Sequence, residues 1–264
     1  MNRKIVAIGG GGNGRLREDG TYAPYETGPM DIEIIKLTGK EKPNFLFLAH
    51  SQDTEEAQEY YFKTMKNIYG EMYGCECKDI KSTELSNKEK VAELIEWADI
   101  IYEGGGNTLD MIKLWQETGF DQVLRKAWED GKVMCGVSAG ANCWFKECSS
   151  DALQIKFGKD QPLIKVDCIG LVAGLYVPHC DAEGRLENVK CLLKESEEIG
   201  LSISNCCALE IVDDKYRLII SKPAEENFKP YGLKTYWKDK EYIEQYIDDS
   251  FEFKSFSELL KRNV

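Results

Sequence analysis

The sequence predicts an α/β fold, in which a mostly parallel sheet carries helices on both faces. Three observations support this prediction. Short apolar runs such as residues 44–50 are nearly uninterrupted, which is typical of strands buried on both faces of a parallel sheet. These runs alternate with segments whose apolar residues recur at helical spacing. Glycine-rich turns follow three of the runs, at residues 9–12, 104–106 and 136–140.

The first half of the chain contains the parallel core of the predicted sheet. A Ser/Asp/Thr cap and an acidic first turn begin the helix after residue 50, and Gly70 ends it. Gly119 and Gly131 each end a further helix. Strands are predicted over residues 4–10, 44–50, 98–106 and 132–140, with a second strand or an edge over 31–37. Helices are predicted over residues 51–70, 91–97, 107–119 and 120–131, and another begins at Gly140.

The pattern becomes less regular after residue 145. Short strands are predicted within residues 163–172 and 174–179, a helix over 186–200, and late antiparallel strands over 208–214 and 216–222. The charged tail over residues 234–249 is expected to combine a late strand with a solvated terminal helix. No internal repeat and no linker rich in Pro or Ser divides the chain, so we expect one domain over residues 1–264.

The composition excludes several classes of protein. Lys and Arg number 34 against 46 Asp and Glu, which gives a formal net charge of −12. That charge repels a phosphate backbone, so we expect no nucleic-acid partner. No apolar stretch approaches the roughly 20 residues that span a bilayer, and the N-terminal apolar run is too short for a secretion leader. We therefore expect a cytoplasmic protein with no membrane partner.

Ten cysteines are scattered along the chain, without a C-x-x-C motif or the spacing of a zinc site. In a reducing compartment we expect them to be small buried hydrophobic residues. The two histidines lie far apart in the sequence, and no phosphate-binding P-loop motif is present. We expect neither a metal nor a cofactor.

The segment Gly136-Val137-Ser138-Ala139-Gly140 fits the G-x-S-x-G pattern at a predicted strand-to-helix junction. Such a turn is sharp and strained at its central residue, and small residues on either side prevent clashes. The Ser138 hydroxyl would be exposed at the sheet edge, where the Ala139 amide and the helix N-terminus favour negative charge. Ser138 is therefore the candidate nucleophile, and a structural turn of small residues is the alternative.

A nucleophilic serine needs a general base, and the chain has two histidines. His50 ends the strand over residues 44–50, at the carboxyl edge where α/β active sites assemble. His179 follows Pro178, which fixes the backbone that presents the imidazole. We predict that His179 is the base, although a structural role is the ordinary alternative for either histidine.

A carboxylate would complete the site by orienting the imidazole and stabilising imidazolium. Asp151 lies thirteen residues after Ser138, just beyond the helix predicted to follow that serine, and is the first candidate. Glu147, Asp160 and Asp181 are alternatives, because an acidic chain offers many carboxylates near any site.

A second glycine cluster, residues 104–106, ends a predicted strand where a helix begins. Glycines let backbone amides approach a bound group closely, so Gly105 and Gly106 are candidates for the other half of an oxyanion hole. Asn107 is a candidate substrate-binding residue. In the alternative interpretation the cluster is a tight turn, and Asn107 or Thr108 caps the following helix.

The first glycine run, residues 9–14, formally satisfies the dinucleotide-binding pattern G-x-G-x-x-G. A dinucleotide-binding turn leads directly into an apolar-periodic helix, whereas residues 15–28 are polar and contain Pro24. The context therefore opposes a dehydrogenase, an alternative that a melting experiment with and without NAD would test.

Three motifs together resemble dipeptidase E, the aspartyl dipeptidase group of serine peptidases. They are Gly104-Gly105-Gly106-Asn107-Thr108, Gly136-Val137-Ser138-Ala139-Gly140-Ala141 and Pro178-His179, in that order. The resemblance covers roughly residues 4–215 and implies a class I glutamine amidotransferase-like fold with serine as the nucleophile. Residues 216–264 would then be a lineage-specific C-terminal extension.

The resemblance also implies residue roles, with the catalytic residues in the order Ser, acid, His. Ser138 would be the nucleophile, Asp151 the orienting acid and His179 the base, while the Gly105–Gly106 turn and the Ala139 amide would bind the oxyanion. Arg185 becomes a candidate for binding a substrate carboxylate.

The implied activity is cleavage of short peptides, first of all N-terminal Asp-X dipeptides, without a cofactor, by a monomer or homodimer. Cyanophycinase, which cleaves β-aspartyl-arginine polymers, has a similar nucleophile turn and supplies an alternative substrate. Two other classes stay open. An α/β-hydrolase would place its acid on a later strand, much further from the serine than Asp151, and a catalytically silent ligand-binding protein of the same fold would keep Ser138 unreactive.

Overall fold

Two β-sheets, one of eight strands and one of six, organise the described residues of the chain. The computed structural model describes residues 2–16 and 19–262. Helices pack against the sheets, which confirms the predicted α/β class. In chain order the strands are β1 (Lys4–Ile8), β2 (Asn44–Leu48), β3 (Glu76–Ile80), β4 (Ile100–Glu103), β5 (Val133–Val137), β6 (Phe145–Ser150), β7 (Ile164–Asp167), β8 (Val172–Val177), β9 (Gly200–Ile203), β10 (Cys207–Val212), β11 (Lys215–Ile220), β12 (Gly232–Lys238), β13 (Glu241–Tyr246) and β14 (Lys254–Ser255).

The helices have the capping that the sequence provides. Thr54 and Asn107 are N-caps whose side chains accept backbone N–H groups three residues on, and Gly119 ends a helix in the left-handed conformation. A π-helical segment (Lys66–Met72) continues the second helix, and a 3₁₀ turn covers Ser82–Glu84. In chain order the α-helices are α1 (Gly28–Leu37), α2 (Glu55–Met65), α3 (Lys88–Trp97), α4 (Thr108–Thr118), α5 (Phe120–Glu129), α6 (Ala139–Asn142), α7 (Ala152–Phe157), α8 (Arg185–Leu192) and α9 (Phe256–Leu259).

The larger sheet has the strand order β14-β11-β10-β1-β5-β4-β2-β3. The five strands from β1 to β3 in that order are parallel, and β10, β11 and β14 pair antiparallel beside them. Ile8 pairs with Val137 and Glu103 pairs with Gly136, so β1, β5 and β4 end side by side. Their carboxyl ends form the edge on which an α/β site is expected.

The smaller sheet has the order β13-β12-β9-β8-β6-β7, in which β6, β8 and β9 are parallel. One face of the larger sheet buries residues such as Val6 against α1 and α2. Its other face buries residues such as Leu46 together with α3, α4, α5 and the smaller sheet, including Tyr176. Helix α8 and the residue that caps its end cover the remaining face of the smaller sheet, through Val189 and Leu193.

Residues 31–37 form most of α1, so the predicted second strand is wrong. The segment alternates weakly, but Met30 and Ile34 are both fully buried at helical spacing while Ile32 is exposed. Pro29 lies in the first turn, where its missing N–H does no harm and its fixed φ favours a helix.

The tail over residues 234–249 forms the hairpin β12–β13, so the predicted terminal helix is wrong there. Lys238 pairs with Glu241, and the two residues between them, Asp239 and Lys240, have positive φ values of 49° and 71°. A two-residue turn of this kind matches the twist of paired strands. Glu241 and Glu244 place charge on β13, which is an edge strand, and charge on such a strand disfavours pairing with another chain.

Two predicted helices are shorter than expected. The helix after Ser138 has four residues, because the chain enters β6 at Phe145 and crosses into the smaller sheet. The helix predicted over residues 186–200 ends at Leu192, and Gly200 begins β9. None of the helices in the described part of the chain is long and apolar enough to cross a bilayer.

Candidate active site

Ser138 lies at a strained turn between β5 and α6, as its sequence context predicts. Its backbone has φ 56° and ψ −113°, outside the regions that a serine ordinarily adopts. A Cβ at Gly140 would lie 2.0 Å from the carbonyl oxygen of Glu103, and one at Gly136 would lie 2.4 Å from that of Gly140. The turn therefore requires glycine at both flanking positions, and it leaves Ser138 on the wall of a cleft.

The end of β1 holds three segments of the site in place. Consecutive carbonyl oxygens of Ile8, Gly9 and Gly10 accept hydrogen bonds from the backbone N–H groups of Ser138, His179 and Cys206, at 3.1, 3.0 and 3.0 Å. These three acceptor groups are adjacent in the chain, so the three donor segments are fixed relative to one another. Ser138, His179 and Cys206 all have positive φ values, of 56°, 50° and 57°. Strained backbone is thus concentrated at this point of the fold.

His179 is oriented by an amide. Its Nδ1 lies 2.7 Å from Oδ1 of Asn205, while Nδ2 of Asn205 donates to Oδ2 of Asp181 at 2.7 Å. A carboxylate can only accept, so Asp181 fixes which end of the Asn205 amide faces His179. The Asn205 oxygen then requires a proton on Nδ1, which leaves Nε2 of neutral His179 as a free base.

Asn205 was not identified as a site residue from the sequence, but its position follows from the pairing of two strands. Strands β8 and β9 are parallel, and Val177 pairs with Ser202. His179 and Asn205 each follow the end of their strand by two residues, so the two side chains meet at one sheet edge. A polar residue just beyond a short apolar run was the available signal. It was missed because residues 186–200 were predicted as one helix and the strand after them was not recognised.

The first glycine run gives room for this histidine–asparagine pair. An ideal Cβ on Gly10 would lie 2.0 Å from Oδ1 of Asn205 and 2.3 Å from Nδ1 of His179. The run does not lead into a helix: the chain continues into a hairpin in which Asn13 bridges Tyr25 and Leu16 bridges Tyr22. Its glycines therefore serve close packing at the site, and the geometry of a dinucleotide-binding turn is not formed.

Asp151 does not contact His179, in contrast to the predicted orienting role. It lies at the end of β6, in the smaller sheet, and its carboxylate accepts a hydrogen bond from Arg185 at 2.7 Å. The charges of both residues still reach the imidazole and act on its pKa in opposite directions. Helix α6 is short, so the thirteen residues after Ser138 carry the chain through β6 and away from the nucleophile.

The other predicted acids occupy different environments. Glu147 is buried and accepts hydrogen bonds from Lys165 and Ser196, while Asp160 is exposed. Asp181 is the predicted alternative that belongs to the site, and it reaches the imidazole through Asn205.

Arg185 and Asn107 are positioned as structural residues. The Arg185 side chain is 7% exposed, pairs with Asp151 and does not line the cleft that Ser138 lines. Asn107 is 3% exposed, and its Oδ1 accepts the N–H of Asp110 as the N-cap of α4. Neither residue lines the cleft, in contrast to the predicted substrate-binding roles.

His50 is a core residue. Its Nδ1 accepts from the indole N–H of Trp115 at 2.9 Å, and its Nε2 donates to the carbonyl oxygen of Ile80 at 2.9 Å. Burial is the main cause that lowers the pKa of His50 to about 4, and the bond to Ile80 opposes that shift. His179 is thus the one histidine, in the described ranges 2–16 and 19–262, that lines the cleft.

The predicted oxyanion residues lie together above β4 and β5. An ideal Cβ on Gly105 would contact the Cβ of Ser138 at 3.4 Å, and Gly105 and Gly106 both line the cleft. Ala139 is the first residue of α6, so its N–H has no partner within the helix. The Gly105 N–H differs, because it donates to the hydroxyl of Tyr61 at 3.3 Å.

The cleft has a volume of about 930 Å³ and mixed charge. Arg15, on the hairpin, is the cation among its lining residues in the described segments, and Glu26, Asp181 and Glu225 are the carboxylates. Burial raises the pKa of Glu26, but the backbone N–H groups of Ala224 and Gly12 outweigh it, so the net shift is downward and Glu26 stays ionised. The cleft therefore offers complementary charge to a substrate with one carboxylate and one or more cationic groups.

Burial lowers the pKa of His179, and the hydrogen bond to Asn205 opposes that shift. The imidazole is consequently neutral near pH 7, which is the form that accepts a proton. Ser138 Oγ makes no hydrogen bond to any residue in the part of the chain described. Nucleophile–base bonds often form only when substrate is present. No cluster of side chains suited to a metal ion occurs among the described residues.

Comparisons with known proteins show the family of the chain. The sequence model of peptidase family S51 matches residues 21–219. An uncharacterized peptidase of Bacillus subtilis (strain 168), YgaJ, is 30% identical over 182 residues, which are 69% of this chain and 70% of the relative.

Two solved structures are similar in fold. The crystal structure of a peptidase from an acI-B1 Actinobacterium has a TM-score of 0.67 at 19% identity, over 97% of this chain and 98% of the other. That of a putative peptidase E protein from Listeria monocytogenes EGD-e has a TM-score of 0.56 at 17% identity, over 84% of this chain and 100% of the other.

Proposed function

The chain belongs to peptidase family S51 and is a serine-type peptidase, and from that premise we propose that it cleaves short peptides with Ser138 as nucleophile. His179 is the general base, held by Asn205 and, through it, by Asp181. One observation carries this assignment: His179 has its Nδ1 fixed by Asn205 and shares a cleft with a serine at a strained strand-to-helix turn.

The chemistry is acyl transfer. As Oγ of Ser138 attacks the scissile carbonyl, its proton passes to Nε2 of His179 and the carbonyl electron pair moves onto oxygen. We assign the N–H groups of Ala139 and Gly106 as donors that stabilise the charge on that oxygen. His179 then gives its proton to the leaving amine, and a water molecule hydrolyses the acyl-enzyme by the same steps in reverse.

An amide in place of the orienting carboxylate still supports these roles. The Asn205 oxygen selects the tautomer with a free Nε2, which is the orienting part of the acid's function. It contributes less to stabilising imidazolium, because it carries no net charge. Asp181 restores part of that effect by polarising the amide and by its own charge, which raises the pKa of His179.

The substrate class follows from the charges in the cleft. We propose N-terminal Asp-X dipeptides, in which the aspartyl carboxylate pairs with Arg15 and the free ammonium lies near Glu26, Asp181 or Glu225. Arg15 takes the role that the sequence had suggested for Arg185. The three carboxylates against one cation also favour a substrate that carries a guanidinium, so β-Asp-Arg is the second candidate.

Hydrolysis of a dipeptide panel tests the proposal. Asp-X, Leu-X, Arg-X, β-Asp-Arg and N-blocked Asp-X are compared for the wild type and for Ser138→Ala, with melting temperature as the control for folding. We expect free Asp-X to be cleaved by the wild type, with the activity lost in a variant of nearly unchanged melting temperature. Cleavage of β-Asp-Arg alone would favour the second candidate. A folded variant that kept most of the activity would refute Ser138 as nucleophile.

A further inference from the structure

Tyr61 presents a hydroxyl at the oxyanion turn and was not singled out by any sequence motif. It lies on α2, its ring packs edge-on against Phe47 with centroids 5.0 Å apart, and it lines the cleft with Ser138. An ideal Cβ on Gly104 would lie 2.6 Å from the ring, so the absence of a side chain at residue 104 allows this approach. The ring is therefore held at a fixed position beside the turn 104–106.

The Tyr61 hydroxyl is itself oriented. It accepts the N–H of Gly105 at 3.3 Å, and it donates no hydrogen bond to another residue of the described chain. The accepted bond occupies a lone pair, so the O–H bond points away from Gly105. Burial raises the pKa of Tyr61, and the Gly105 bond and the charge of Arg15 oppose that shift. The phenol therefore carries its proton at neutral pH.

Gly105 links this hydroxyl to the turn that carries Ser138. Gly105 is the residue whose backbone faces the Cβ of Ser138, at 3.4 Å from an ideal Cβ, and Tyr61 is bonded to the amide of that same residue. The Gly105 N–H is engaged with Tyr61 and is not free to bind an oxyanion directly. The Tyr61 hydroxyl is therefore available as a donor at the turn where the sequence predicted the Gly105 amide in that role.

We propose that the Tyr61 hydroxyl is an oxyanion donor, and that the Gly105 amide orients it. The proposal rests on Ser138 being the nucleophile. As Oγ of Ser138 bonds to the carbonyl carbon and the π pair moves onto oxygen, Tyr61 donates a hydrogen bond to that oxygen and keeps its proton. A neutral donor with fixed orientation stabilises charge that develops only in the transition state.

Reaction with a fluorophosphonate tests this without knowledge of the peptide substrate. Oγ of Ser138 attacks phosphorus, fluoride leaves, the serine proton passes to His179, and the phosphoryl oxygen occupies the oxyanion hole. The second-order rate of labelling is measured for the wild type, Tyr61→Phe and Ser138→Ala. We expect Tyr61→Phe to slow labelling by about 10²-fold, the effect of removing one oxyanion donor. Where a peptide is cleaved, kcat should fall by a similar factor with KM nearly unchanged.

Matched variants separate this role from a structural one. Tyr216→Phe, in β11 outside the cleft, makes the same change and should label at the wild-type rate. Tyr61→3-fluorotyrosine keeps the hydroxyl and makes it more acidic, so it should label at least as fast as the wild type. If Tyr61→Phe unfolds, this second variant still decides, because slower labelling in a folded protein would overturn the proposal.

The outcomes distinguish the two proposals. A Tyr61→Phe variant that labels at the wild-type rate or faster would overturn the Tyr61 assignment, since it would show that stabilisation of the oxyanion does not need the Tyr61 hydroxyl. The serine mechanism would stand in that case, provided Ser138→Ala is unlabelled. A wild-type chain that resists labelling would overturn the proposed serine chemistry, and the Tyr61 assignment with it.

Discussion

The Asn205 side chain lies with its oxygen 2.7 Å from Nδ1 of His179, at the position where a carboxylate was expected. Asp181 receives both the backbone N–H and the amide N–H of Asn205, at 2.8 and 2.7 Å. The acid is thus one residue removed from the base, and the amide between them transmits orientation but little charge. Because of this separation, substitutions at Asn205 and at Asp181 can test orientation of the imidazole and the effect of charge separately.

Asp181→Asn should lower kcat, because the Asn205 amide would no longer have a fixed direction. Rotated, it would offer its N–H groups to Nδ1 and favour the tautomer that carries the proton on Nε2. We expect a loss of about 10²-fold in kcat. The measurement is steady-state kinetics on the best substrate of the dipeptide panel.

Asn205→Asp tests the same contact by its effect on pH dependence. A carboxylate on Nδ1 raises the pKa of His179, so the acidic limb of the kcat/KM profile should move to higher pH. An unmoved profile would contradict the assigned contact.

Gly10→Ala should damage the site directly, because the new Cβ would overlap both Asn205 and His179. Shifting that pair displaces Nε2 from Ser138, and misplacement by about 1 Å costs on the order of 10²-fold in rate. The control is Gly39→Ala, where an added Cβ meets nothing within 4 Å and the backbone has φ 69°. That variant should lose stability from backbone strain and keep its kcat. Equal kcat in the two variants would show that Gly10 serves only the fold.

The sequence could predict the elements that local chemistry determines. Ser138 and the glycines around it specify a sharp turn by their own local chemistry. The parallel strands β1, β2, β4 and β5 could be predicted because each contains an apolar run. The contact of Asn205 with His179 depends instead on the pairing of β8 with β9, two strands that are separated by 22 intervening residues. Nothing local encodes that register. The same holds for Tyr61, whose helix and turn meet only in the fold.

The prediction failed where one sequence pattern is compatible with two structures. The charged residues of the segment 234–249 fit a solvated helix and an edge strand equally, and the pairing of β13 with β12 decided between them. Asp151 was chosen for its distance along the chain from Ser138. Separation along the chain does not determine distance in the fold, and here the intervening β6 belongs to the second sheet.

His50→Gln should flatten the acid dependence of stability. The folded His50 has a pKa of about 4 against an ordinary value near 6.5, so below pH 6.5 the unfolded chain binds more protons. Wild-type stability therefore falls as pH drops from 6.5 to 4, by about 3 kcal/mol from this residue. Glutamine stays neutral throughout and can still donate to Ile80. Urea unfolding at pH 4.5 and 7 measures the difference, and an unchanged slope would contradict a neutral, buried His50.

Asp31→Asn should change the slope in the opposite direction. Burial raises the pKa of Asp31 to about 6, while the hydroxyl donors Tyr69, Tyr25 and Thr27 oppose that shift. Between pH 3.8 and 6 the folded chain binds more protons, so this residue lowers stability as pH rises, by about 3 kcal/mol over the window. The Asp31→Asn variant lacks this pH-dependent contribution to the free energy of unfolding. Its stability relative to the wild type should improve from pH 4 to 7, and a constant difference would show that Asp31 ionises normally.

Arg15→Ala should reduce cleavage of Asp-X without a comparable effect on Leu-X. A charge-assisted hydrogen bond contributes about 1.5–3 kcal/mol, so kcat/KM for Asp-X should fall by roughly 10- to 10²-fold. Arg15→Lys keeps the charge and loses the two-pronged geometry, and we expect an intermediate value. Lys113→Ala removes a cation from the exposed surface of α4 and should leave the ratio unchanged. If Arg15→Ala lowers both substrates equally, the arginine supports the hairpin and does not recognise the aspartyl carboxylate. A selective gain on β-Asp-Arg would instead indicate that the three carboxylates of the cleft select a cationic substrate.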